Sequence, residues 1–153
     1  MKRLVKNERG LTLIELLAVI VILGIIAAIA IPAIGGMIDN SKKDVYVANV
    51  QQMINAAKIV VTSDKDLIPA DKSTKKITLK QLEDDGYLET VKDPGKTQNG
   101  YDENNSYVRI ANENNKLSYS VKLINAERGV QTKSGGPIAE DDLKRSEVRD
   151  NPS

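Results

Sequence analysis

One segment limits what this chain can become more than any other. From Leu11 to Ile31 run 21 residues in which Thr12 and Glu15 are the only polar members. At about 1.5 Å of rise per helical residue such a run covers roughly 30 Å, one hydrocarbon core of a bilayer. The segment therefore reads as a membrane-crossing helix. Residues 1–10 hold Lys2, Arg3, Lys6 and Arg9 against Glu8, a net charge of +3. Basic flanks stay on the cytoplasmic side, so this leader is expected inside and residues 37 onward outside. A carboxylate five residues into an apolar run disfavours insertion by about 1–3 kcal/mol. Glu15 needs a reason to be there.

Composition narrows the choice of chemistry. Beyond the apolar run the chain is polar, with 18 basic and 19 acidic residues from position 37 to 153. A body so close to neutral gives no bulk attraction to nucleic acid, and none is expected as a partner. The 153 residues contain no Cys and no His, which removes disulfides, thiolate chemistry, the usual general base and the commonest zinc ligand. No catalytic residue, metal site or cofactor is expected, and the chain does not read as an enzyme. The adjacent acids Asp84-Asp85 and Asp141-Asp142 read as solvated surface. Lys72, Lys75, Lys76 and Lys80 lack interleaved aromatic residues and have acids nearby.

Three readings of the N-terminus compete. A secretory signal would be cut after Ala28-Ile29-Ala30. A plain signal anchor would keep the whole leader. The third rests on Arg9-Gly10-Leu11-Thr12-Leu13-Ile14-Glu15, with a short basic leader before it and an apolar helix after it. This stretch resembles the processing signal of type IV pilins and pseudopilins. The resemblance implies that a prepilin peptidase cuts between Gly10 and Leu11 and methylates the new amine of Leu11. Leu11 departs from the Phe that the family usually carries there. Glu15 falls where the family places its Glu, fifth in the mature chain. The resemblance further implies that Gly24 and Pro32 soften the helix, so that the interval between them can extend on packing.

The resemblance also supplies Glu15 with a partner. Cleavage would leave an α-amino group with a pKa near 8, cationic at neutral pH and still so after methylation. A neighbouring subunit's cation could satisfy the carboxylate within the membrane. The partners implied are further copies of this chain in a helical homopolymer, the prepilin peptidase, an assembly ATPase, a platform protein and the membrane. The implied location is a single-pass membrane prepilin with its C-terminal domain outside, and then a filament at the cell surface. Leu79 to Leu88 is similar to a helix-and-turn in pilin-like proteins of Gram-positive bacteria, such as competence-type subunits. The alternative function is a monomeric, membrane-anchored extracellular binding domain.

Downstream, Tyr46, Val50, Met53, Ile54, Ala57, Val60 and Val61 recur at helical spacing and predict one apolar stripe over residues 37–62. Thr78-Leu79-Lys80-Gln81 has capping-box spacing and predicts a short helix that stops at Gly86. Alternating runs at Tyr107–Ala111 and Leu117–Leu123 predict an antiparallel hairpin presenting Leu117, Tyr119, Val121 and Leu123 on one face. The fold expected is α+β: a long N-terminal helix, membrane-spanning and then amphipathic, packed on a small antiparallel sheet in the pilin-like manner. Its expected divisions are a leader at 1–10, an assembly helix at 11–36, an extracellular domain at 37–130 and a flexible polar tail at 131–153.

Overall fold

The computed structural model describes the backbone of residues 8–153 and the side chains from Thr12 onward. Most of the expected leader lies outside the described residues, as does the side chain of Leu11. One helix, α1, runs from Glu8 to Ser63 and passes through Gly24, Pro32, Gly35 and Gly36 without a break. Compactness divides the chain between Asp39 and Asn40, three residues beyond the expected boundary at 36/37.

The first unit is the N-terminal part of α1. Its large apolar side chains are exposed all round, Leu17 at 61% and Ile29 at 71% among them. No stripe is selected because the sequence offers apolar residues at every angle of the helix.

The second unit is an α+β body. The rest of α1 turns a single apolar stripe inward: Tyr46, Val50, Met53, Ile54, Ala57, Val60 and Val61 are all buried. The opposite face, including Gln52, Asn55 and Thr62, stays exposed. Strand β1 (Ser73–Thr78) leads directly into α2 (Leu79–Asp84). Thr78 caps α2: its hydroxyl accepts from the Gln81 N–H, while the Gln81 side chain accepts from the Thr78 N–H. Gly86 ends that turn at φ 76°, a conformation that only glycine adopts freely, and Tyr87 and Leu88 both return N–H bonds to the Leu82 carbonyl. Buried Leu79 and Leu82 fasten α2 to the core.

Strands β2 (Tyr107–Glu113) and β3 (Lys116–Ile124) form the expected hairpin. Its turn, Asn114-Asn115, has φ of 54° and 62°, the left-handed pair that matches the twist of a two-residue hairpin and that Asn tolerates. Three further strands follow: β4 (Arg128–Val130), β5 (Ile138–Ala139) and β6 (Val148–Asp150). All pairings are antiparallel, in the order β1-β2-β3-β4-β6, with β5 joined to β3. Val108, Ile110, Val121, Leu123, Val130, Ile138 and Val148 face the α1 stripe and complete the core.

The expected flexible tail at 131–153 is corrected by this arrangement. Ile138 and Val148 are each only 5% exposed and lie in strands, and buried Gln131 donates to Asn151 Oδ1 at 2.8 Å. Asn151 in turn donates through Nδ2 to the Asn125 carbonyl at 2.9 Å. Beyond the sheet, Arg145 grips Asp44 of α1 through two parallel bonds of 2.8 and 2.7 Å, and Lys58 meets Glu140 at 2.6 Å. A segment of polar composition is held because two apolar anchors and backbone pairing suffice, without a continuous apolar pattern. Just before this segment, β4 packs closely on β3: a Cβ on Gly129 would lie 2.0 Å from the Leu123 carbonyl oxygen.

Candidate functional site

The residues singled out by the sequence lie along the first unit of α1. Gly10 and Leu11 are within the helical backbone, one turn before Glu15. Glu15 is exposed, with apolar Leu13, Ile14, Leu16 and Leu17 around it, each at least 58% exposed. The most apolar 18-residue window of this helix has a mean hydropathy of 3.0, and none of that window is buried within the chain. The helix is long and apolar enough to cross a membrane.

Gly24 and Pro32 lie farther along the same exposed surface. A Cβ placed on Gly24, Gly35 or Gly36 would meet nothing within 4 Å. No contact inside this chain therefore requires glycine at these positions, each of which weakens the helix by up to about 1 kcal/mol relative to Ala. Pro32 removes one backbone donor from the helical ladder.

The second unit carries polar clusters of its own. Its most connected polar cluster is internal. The Tyr46 hydroxyl donates to Asp93 Oδ1 at 3.0 Å and accepts from Asn125 Nδ2 at 2.6 Å. Asp93 also receives the Gly95 N–H, the Thr97 N–H and hydroxyl, and Asn125 Nδ2. Burial pushes the Asp93 carboxyl up, but these donors together outweigh it and hold the group below the usual carboxylate range. Burial, with the Asp93 charge beside it, pushes the Tyr46 phenol well above its ordinary value. Tyr101 is pushed up by burial too, with Asn49 donating to its hydroxyl at 2.8 Å. A carboxylate with its lone pairs so occupied and a phenol so reluctant to ionise pin the 93–101 loop to α1.

A hollow of about 460 Å³ is open to solvent and is lined by Asn99, Tyr101, Asp102, Glu103, Asn104 and Asn125 among others. Asp102 there already accepts from the Asn104 and Asn105 N–H groups and from Asn105 Nδ2. Asp84, one of the acids read as solvated surface, is 61% exposed and paired with Lys80. Among the described residues no three acids gather as a metal-binding group would require.

Sequence reasoning missed β1 and the strands after β3, along with the Tyr46–Asp93–Asn125 cluster. Asp93-Pro94-Gly95 signalled a turn, but nothing local in sequence says that a loop carboxylate will meet a phenol 47 residues away. Ser73–Thr78 carries a single apolar residue, Ile77, so its sequence shows no alternation, and β1 exists through its pairing with β2.

Comparison with known proteins bears on the first unit. No curated protein matches the chain, and no solved structure does. Residues 5–31 match the family model described as the prokaryotic N-terminal methylation motif. With that motif leading into a long, exposed, apolar helix, the chain carries the signature of the type IV pilins and pseudopilins.

Proposed function

We propose that this chain is a prepilin or pseudopilin, a structural subunit that polymerises through its apolar helix. The observation that carries this reading is the coincidence of the methylation motif at 5–31 with a helix whose apolar surface is exposed on every side. Burying one such side chain is worth about 1.5–3 kcal/mol, so a helix of this kind belongs in lipid or against other helices. The subunit occupies both environments in turn. It begins as a single-pass membrane protein with the leader in the cytoplasm and the α+β body outside, and it ends in a surface type IV pilus or pseudopilus.

In this mechanism a prepilin peptidase cuts after Gly10 and the amine of Leu11 is methylated. An assembly ATPase and a platform protein then draw the subunit into the fibre. Glu15 sets the register: its carboxylate pairs with the N-terminal cation of a neighbouring copy, which offsets the cost of holding it in an apolar layer. Gly24 and Pro32 bound the interval that extends as helices pack.

The test is incorporation. Cells producing the chain together with its machinery are sheared, and the fibres are viewed by electron microscopy and probed for this protein. The wild-type chain is expected in the fibres, and Glu15→Ala is expected in the membrane fraction alone. Recovery of the wild type only as a detergent-soluble monomer would return the chain to a membrane-anchored binding domain.

A further inference from the structure

The sheet has a second face, and its residues differ in kind from those of the first. Val108, Ile110, Val121 and Leu123 point toward α1, so the residues alternating with them point away. Register places Lys76 beside Arg109 on the next strand, and Thr78, Tyr107 and Lys122 in the adjoining row. Thr74, Ala111 and Ser118 make up the row on the other side. These three rows hold three cations, small or hydroxyl-bearing side chains and one Tyr, and beyond them, at the hairpin end of the same face, Glu113 stands opposite Lys116.

The contacts made by the three cations leave their charge in place. Lys76 Nζ lies 4.5 Å from the centre of the Tyr107 ring, Arg109 Nε donates to Ser120 Oγ at 3.2 Å, and Lys122 Nζ donates to the Gly135 carbonyl at 2.7 Å. Acids lie at the margin: Asp102 feels the charge of Lys122, while Asp142 and Glu147 line the hollow beside Arg109. Elsewhere in this unit Lys58, Lys80, Arg145 and Arg149 are spent on Glu140, Asp84, Asp44 and Glu147.

We infer that this face binds a linear polyol phosphate, a phosphodiester chain without bases. Charge complementarity carries the argument: Lys76 and Arg109 stand side by side on neighbouring strands, about 4.8 Å apart, and Lys122 lies on the next strand one row along, so three cations on three adjacent strands can meet successive phosphates. The tyrosines argue against nucleic acid as the occupant, because single strands are held by stacking bases on free rings. Tyr107 has Lys76 over its ring and Tyr119 has Lys58 over its own. Tyr46 and Tyr101 are buried edge to face, and Tyr87 packs against the core.

The experiment uses the full chain in nonionic detergent micelles and a fluorescent glycerol phosphate oligomer, with binding read by anisotropy. Saturable binding at low salt is expected, with a slope of log affinity against log salt of about −2 for three phosphate contacts. Replacing Lys76, Arg109 and Lys122 together by Gln should weaken binding by about tenfold or more. The charge-keeping triple of Lys76→Arg, Arg109→Lys and Lys122→Arg should retain it. A control triple of Lys65→Gln, Lys92→Gln and Lys96→Gln should stay within about twofold of the wild type, with melting unchanged. Should the first triple melt early, the exposed Lys76→Gln alone is expected to show a loss of about two- to fivefold. Absence of saturable binding, an equal loss in the control triple, or tighter binding of oligothymidylate with the same number of phosphates would overturn the inference.

Discussion

The two parts of α1 share a backbone conformation and differ in almost everything else. From Leu13 to Ile38 every large apolar side chain is exposed, whereas after Asn40 Val50, Met53 and Ile54 are 0% exposed while Gln52 and Asn55 remain in water. A helix apolar all round leaves its apolar surface to be satisfied by lipid or by other chains, but a helix with one stripe satisfies it within its own domain. The same secondary structure thus leaves its apolar surface open in one part and uses it for folding in the other. Substitutions in the two parts should separate these roles.

The largest effect is expected at Gly129. Gly129→Ala would force a Cβ against backbone atoms at 2.0 and 2.5 Å, so the cost should exceed the usual overpacking range of about 1–3 kcal/mol. Chemical denaturation of the full chain in micelles, followed by near-ultraviolet circular dichroism, should show a body that is unfolded or nearly so. Next comes Met53→Ala, which empties a fully buried site and should cost about 2–5 kcal/mol in the same measurement. Leu17→Ala, its counterpart in the exposed part, should leave the denaturation midpoint unmoved and alter only incorporation into fibres. A large stability loss from Leu17→Ala would erase the distinction between the two parts.

Smaller effects sharpen the picture of the second unit. Tyr46→Phe removes the hydroxyl between Asn125 and Asp93 and should cost about 1–3 kcal/mol, because one Asn125 N–H loses its acceptor and Asp93 loses one of its donors, while the direct Asn125–Asp93 bond stays. The same cluster sets a pH dependence. Asp93 is held below its unfolded value, so its contribution is fully present above the unfolded pKa near 3.9 and is lost as pH falls through the lower folded value. Stability measured between pH 6 and pH 3 should fall at the acid end, and Asp93→Asn should lower it at neutral pH while flattening the acid limb. Arg145→Ala should have the smallest effect, a melting shift below all of these, because both partners of its ion pair are half exposed.

Legibility followed the range of the interactions. The methylation motif, the α1 stripe, the Thr78–Gln81 capping box and the β2–β3 hairpin rest on spacings of a few residues, and each could be read from sequence. The elements missed are those whose partners lie far along the chain. Strands β4 and β6 are three residues each, too short for alternation to register, and they exist because they pair with β3 and with one another. The polar composition after residue 130 concealed Ile138 and Val148 as core residues and Arg145 as a clasp on α1. The cationic face was hidden for a related reason: Lys76 and Tyr107 are 31 positions apart in sequence and become neighbours only through β1–β2 register. The functional signature was open to view because it is contiguous; the neutralised acids of the body needed coordinates.

The central claim is that the first part of α1 is processed and presented as an assembly helix. Intact-mass analysis of the native protein, backed by N-terminal sequencing, tests it most directly. The account predicts a mature chain that begins at Leu11, carries one added methyl on its amine and retains Glu15 with the whole apolar helix. With a +3 leader held at the cytoplasmic face, as proposed, only an enzyme acting there would reach the bond after Gly10. A chain starting at Ile31, or one left uncut in cells with an active prepilin peptidase, would contradict it.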